Sequence, residues 1–155
     1  MKPIVSNTSD YVALQAQRAN SSNYIMDCVH RLVEISENLN EDVTPLSSIA
    51  DIGCGSGHLY RQLNDIGISV ENYIGIDVDP QMVEAGAKAI GGHDNFQIRT
   101  GNFDELALDF NAEAIVFLNS FMYLPDVSAA ISKLSKASAK YSIIRSYFCD
   151  NTYRI

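Results

Sequence analysis

Two acidic residues around a run of glycines hold most of the chemistry that this sequence can do. Asp51-Ile52-Gly53-Cys54-Gly55-Ser56-Gly57 sets three glycines at alternate positions. Without a Cβ, each lets the backbone approach a ligand closely. Asp77 comes 20 residues after Gly57, at the end of the apolar run Tyr73-Ile74-Gly75-Ile76. A carboxylate there, at the end of the next strand, can accept both hydroxyls of a ribose. Val78, directly after it, would offer a purine an apolar wall. The dinucleotide pattern GxGxxG does not fit: counted from Gly53 its last glycine falls on His58, and counted from Gly55 it falls on Tyr60. Asp51, two residues before the first glycine, suits a ligand with positive charge rather than a pyrophosphate.

The elements that must position these residues alternate. Ser48 to Ile52 is a short strand ending at the glycines. Gly57 to Ile66 is a helix with Leu59, Leu63 and Ile66 inward, stopped by Gly67. Tyr73 to Asp77 is the second strand. Asp79 caps the next helix, Pro80 takes its first position, and Gly91-Gly92 end it. That role for Asp79 leaves Asp77 for a ligand. Phe96 to Thr100 and Ala114 to Leu118 are the third and fourth strands. Asp126 caps a helix with Val127, Ala130, Ile131 and Leu134 on one face and Lys133, Lys136 and Lys140 at its C-terminal end, where the helix dipole favours cations. Tyr141 to Tyr147 is the fifth strand. Upstream, residues 9–38 read as helix broken near Asn20-Ser21-Ser22, with Ile25, Val29, Leu32 and Ser36 on one stripe. Residues 40–47 are a polar connection. The expected organisation is a single domain, with a helical preamble at 1–47 and the ligand-binding part at 48–155. Strands alternating with helices imply an α/β fold: a parallel sheet with helices on both faces, and ligands at the C-terminal strand ends.

Composition narrows the function classes. The 155 residues suffice for one core, and 46% are hydrophobic, too many for a disordered chain. Eleven basic against 19 acidic residues give a net charge of −8. That argues against a nucleic-acid binder and against docking on anionic membrane. The longest apolar runs, such as Ala114 to Leu118, are far too short to span a bilayer, and the N-terminus lacks the apolar core of a signal peptide. Cys28, Cys54 and Cys149 are odd in number and widely spaced, which suits the cytoplasm and no disulfide framework. His30, His58 and His93 lack metal-ligand spacing, so no metal is expected.

Taken with Asp77, the segment Asp51 to Gly57 resembles motif I, (D/E)xGxGxG, of the class I S-adenosylmethionine-dependent methyltransferases. The resemblance covers residues 48–147 and implies a Rossmann-like sheet of strand order 3-2-1-4-5, with the family's strands 6 and 7 missing from this chain. It implies S-adenosyl-L-methionine as cofactor. Asp51, Gly53, Cys54, Gly55 and Gly57 would form its cradle, and Asp77 and Val78 the ribose acid and the residue stacked on adenine. Asn102 and Phe103 fall where the family has Asp and an apolar residue beside the adenine, and Leu118 and Asn119 would lie beside the methionine part. Met122 and Tyr123 stand where many members carry a His pair, which makes Tyr123 the candidate catalytic residue. Cys54 reads as a small filler between glycines. On the N-terminal helix, Tyr11 and Arg18 are candidates for touching the cofactor carboxylate. The expected function is methyl transfer to a small-molecule, glycan or lipid-precursor acceptor. The alternative is a non-catalytic cofactor-binding or regulatory subunit. The apolar fifth strand would be a sheet edge, through which the chain could self-associate.

Overall fold

The computed structural model describes residues 25–39 and 46–146. Its elements are helix α1 (Asp27–Leu39), strand β1 (Ser48–Ile52), α2 (His58–Asp65), β2 (Asn72–Asp77), α3 (Pro80–Ile90), β3 (Phe96–Thr100), β4 (Ala114–Leu118), α4 (Val127–Leu134) and β5 (Tyr141–Arg145). Short 3-10 turns at Phe103–Glu105 and Phe121–Tyr123 follow β3 and β4. The sheet runs β3-β2-β1-β4-β5, and every pairing is parallel. This is the expected Rossmann-like order.

Alternation along the central strands splits the core in two, because successive side chains point to opposite faces. Ile49 and Tyr73 face a cluster closed by Val29 and Leu32 of α1, Leu59 and Leu63 of α2, and Ile90 at the end of α3. Ala50, Ile52 and Ile76 face a second cluster with Phe103, Phe117, Phe121, and Ala130 and Leu134 of α4. Helices therefore cover both faces.

The caps lie where local chemistry puts them. Asp79 accepts from the Gln81 amide at 2.9 Å, with Pro80 in the first turn of α3. Asp126 accepts from the Ala129 amide at 2.9 Å and starts α4. Several expectations need correction. Val127 and Ile131 are about half exposed, and only Ala130 and Leu134 bury the inner face of α4. The helix has two turns and rests on the sheet through one stripe, so the neighbouring stripe is left outside. Lys136 and Lys140 lie beyond its last turn. Lys133 alone acts at that end, donating to the carbonyls of Phe103 and Asp104 with its ammonium 4.8 Å from the Phe103 ring centroid. Leu46, assigned to a polar connection, is fully buried. Strand β5 ends at Arg145. Tyr147, Cys149 and the rest of the C-terminal segment, residues 1–24 with Tyr11, Arg18 and the helix expected from residue 9, and residues 40–45 lie outside the described residues.

Candidate functional site

The C-terminal ends of β1, β2 and β4 meet around the glycine loop. The Gly53 and Cys54 amides donate to the Ile76 carbonyl, folding the loop over the end of β2. Gly53, Gly55 and Gly57 all have left-handed φ, at 74°, 57° and 76°. L-residues resist that region, so each glycine is required by backbone shape. What surrounds them differs. A Cβ on Gly53 would lie 2.2 Å from Ser120 Cβ, and one on Gly57 would lie 2.9 Å from Phe96 Cζ. A Cβ on Gly55 would meet nothing nearer than the His58 ring at 3.8 Å. Gly57 is buried, Gly53 is exposed but has its Cβ direction taken by Ser120, and half-buried Gly55 alone of the three has open space where a side chain would start. Helix α3 comes close to the same loop through Gly86, where a Cβ would stand 2.7 Å from the Ser56 carbonyl oxygen.

Asp77 sits beneath Gly55. Its Oδ2 accepts from the Gly55 amide at 2.7 Å and its Oδ1 from the Asp79 amide at 2.9 Å. The carboxylate was expected to be unengaged, but it already holds the loop. Each oxygen keeps a second lone pair for a ligand hydroxyl. Burial pushes its pKa up, and the two amides pull it down. Val78 beside it is 59% exposed.

Asp51 is 3% exposed, at the base of the loop. Its Oδ2 accepts from the Tyr73 hydroxyl at 2.6 Å. Burial pushes the carboxyl up to about 7; the Tyr73 hydrogen bond lowers it, and the nearby Asp77 charge raises it. Cys54 is buried beside this pair, with its thiol pKa pushed well up by burial, so it serves as packing and not as a nucleophile.

The β4 end closes the other side. Ser120 Oγ donates to the Ile52 carbonyl at 2.5 Å, and Asn119 takes a positive φ of 65°. Arg145 at the end of β5 holds it there: its guanidinium donates to Asn119 Oδ1, and its carbonyl accepts from the Asn119 amide at 2.8 Å. Asp27 at the start of α1 lies 3.9 Å from the same guanidinium. Leu118 is half-buried at the strand end.

The structure brings Asp51, Gly53, Cys54, Gly55, Gly57, Asp77, Val78, Leu118 and Asn119 to one end of the sheet. Asn102 and Phe103 follow β3 on the same side, but their side chains are engaged. Asn102 caps the Asp104 amide at 3.2 Å, and the Phe103 ring is buried against Phe117. Tyr123 is 70% exposed after β4. Sequence reasoning missed Tyr73, Gly86 and Ser120. A lone hydroxyl in an apolar strand and a glycine in mid-helix were the available signals for the first two; Ser120 had none.

A family model described as a methyltransferase domain matches residues 49–140. No curated protein sequence matches the chain. Among solved structures, a Methanococcus maripaludis protein assigned as an S-adenosyl-L-methionine-dependent methyltransferase is 20% identical, with TM-score 0.61 over 84% of this chain and 58% of that one. A chain of the Haloferax volcanii complex between the Trm112 methyltransferase activator and its assigned methyltransferase is 23% identical, with TM-score 0.55 over 81% and 53%. An S-adenosylmethionine-dependent methyltransferase from Mesorhizobium loti is 20% identical, with TM-score 0.53 over 68% and 47%. The chain spans about half the length of these structures. The chain belongs to the methyltransferase-domain family and has the class I, Rossmann-like fold of the S-adenosylmethionine-dependent methyltransferases.

Proposed function

We propose that this protein transfers the methyl group of S-adenosylmethionine to a small acceptor with an apolar part, such as a small molecule, a glycan or a lipid precursor. S-adenosylmethionine is the cofactor. The observation that carries the proposal is the geometry at Gly55: an open left-handed glycine whose amide is held by Asp77, at the meeting of β1 and β2. In this arrangement Asp77 takes the ribose hydroxyls, Val78 covers one face of the adenine, and the loop backbone approaches the sugar and sulfur. Asn102 and Phe103 would flank the adenine mainly through backbone, and Leu118 and Asn119 the methionine part. The cofactor supplies a methyl group on a sulfonium, already a good leaving group. The protein then has to align the acceptor and exclude water.

Two exposed side chains after β4, Met122 and Tyr123, offer the acceptor an apolar wall and one hydroxyl. They support an acceptor with an apolar part, and Tyr123 is the residue placed to touch it. Among the described residues no helix is long and apolar enough to cross a membrane. The proposal places the protein in the cytoplasm, and β5 at the sheet edge is the surface through which copies would associate.

Calorimetric titration with S-adenosylhomocysteine tests the cofactor part. Saturable binding is expected, and a folded protein with no heat at high micromolar ligand overturns it. Turnover is tested over a panel of apolar alcohols, amines and thiols. Cofactor binding without turnover on any of them would favour a regulatory subunit.

A further inference from the structure

We propose that Tyr73 is a positioning residue for the cofactor: its phenol fixes the Asp51 carboxylate under the glycine loop and thereby sets the pH above which the site holds the cofactor's cationic end. The inference rests on the cofactor assignment above.

Tyr73 is the second residue of β2 and is fully buried. Tyr73 pairs in register with Ile49 and lies on the same sheet face as Asp51, one strand over. Its ring reaches along β2 because residue 75 is glycine. A Cβ there would stand 3.0 Å from Tyr73 Cε1 and 2.9 Å from Cys54 Sγ. The Phe96 ring stacks on it at 5.3 Å between centroids, and Tyr60 packs at 5.4 Å. The hydroxyl is therefore delivered to Asp51 Oδ2 by a wedged ring, and Oδ1 is the oxygen left for whatever enters the loop.

Among the described residues, Tyr73 and Asp77 of β2 act on the Asp51 carboxyl, Cys54 of the loop lies beside it, and the His58 ring at the start of α2 lies beside Gly55. Burial and the nearby Asp77 charge make Asp51 hold its proton to near neutrality, and a cationic ligand is what would draw the proton off. An ammonium or sulfonium entering the loop is such a ligand. Binding then releases a proton on the acid side, and affinity falls as pH drops. The phenol opposes that fall, because it donates to the ionised form.

The test is calorimetric affinity from about pH 5.5 to 8, across which the carboxyl titrates while the ligand's ammonium keeps its charge. The wild type, Tyr73→Phe and Asp51→Asn are compared with two ligands. S-adenosylhomocysteine carries an ammonium, whereas 5′-methylthioadenosine is a neutral thioether nucleoside. For the first ligand the wild type is expected to lose affinity on the acid side, approaching about tenfold per pH unit. Tyr73→Phe should move that limb to higher pH, and Asp51→Asn should abolish it. The neutral ligand should show no such limb near neutrality and little response to Tyr73→Phe. An unshifted limb in Tyr73→Phe overturns the inference. So does an equal loss for both ligands, which is what a purely structural role would give. In either case binding itself stands, and with it the cofactor assignment. If neither ligand binds the folded wild type at any pH, the cofactor assignment falls and takes this inference with it.

Discussion

Asp77 links the loop to the strand beneath it, and in the proposed function it is also the acid that takes the ribose. Replacing it with Ala should lower S-adenosylhomocysteine affinity by about 10- to 100-fold, the worth of a charge-assisted hydrogen bond. The melting temperature should fall too, because the Gly55 and Asp79 amides lose their acceptor. Unchanged affinity in a folded variant would remove Asp77 from the site. Asp51 makes a different prediction, on stability. Its folded-state pKa is raised to about 7, so between the unfolded carboxyl value near 3.8 and 7 the folded protein binds the extra proton. Stability from this group is full below that window, falls as pH rises through it, and is level above. Asp51→Asn removes the dependence. Relative to wild type its stability should therefore rise between about pH 5 and pH 7, by up to about 1.4 kcal/mol for each pH unit of the window, and level off above, which paired thermal melts would read. An identical pH profile for the two proteins would contradict the buried, proton-holding carboxyl. Asp51, Asp77 and the glycines were legible in the sequence because residue type and spacing alone mark them. Tyr73, Ser120 and Arg145 act across the sheet, on partners 22, 68 and 26 residues away, and no local pattern encodes such distances.

The glycine loop is one element with two kinds of glycine. Gly55→Ala should cost only about 1–2 kcal/mol of stability, from left-handed strain, and yet reduce cofactor affinity sharply, with Gly55→Val abolishing it. Gly53→Ala should instead disrupt folding, since its Cβ would overlap Ser120. Thermal melts paired with ligand titration separate the two, and a Gly55→Ala protein of normal affinity would mean that the ligand approaches elsewhere. At the start of α4, Asp126→Ala should lower stability by about 1 kcal/mol through loss of a cap. The strands, the caps and the glycine stops were readable because each depends on a few adjacent residues. The inner face of α4 was not. Both Val127–Ile131 and Ala130–Leu134 make apolar stripes, and packing against distant Phe103, Phe117 and Phe121, which spacing does not report, buries the second.

Across the whole molecule, the order β3-β2-β1-β4-β5 leaves β3 and β5 at the margins of the described sheet. The order followed from the resemblance carried by the loop and Asp77, whereas alternation of strands and helices gave only a parallel sheet. If copies associate through β5, sedimentation should depend on protein concentration. The variant that tests this is Ser142→Lys at an exposed position, because Ile143 is buried and Ile143→Lys would disturb the core instead. A monomer at all concentrations would end that proposal.

A sheet whose described pairings are all parallel also constrains how the chain reaches its native state. Parallel neighbours need a crossover, so no tight hairpin can nucleate it. Ile49 must find Tyr73 on one side and the far more distant Ala114 on the other. Closing the shorter loops first would assemble β1, β2 and β3 before β4 docks, and Ser120 would reach Ile52 only at that last step. Stopped-flow measurements on Ser120→Ala should then show faster unfolding and a nearly unchanged refolding rate. The pocket floor would be laid early, and the wall that closes it would be the first part to leave.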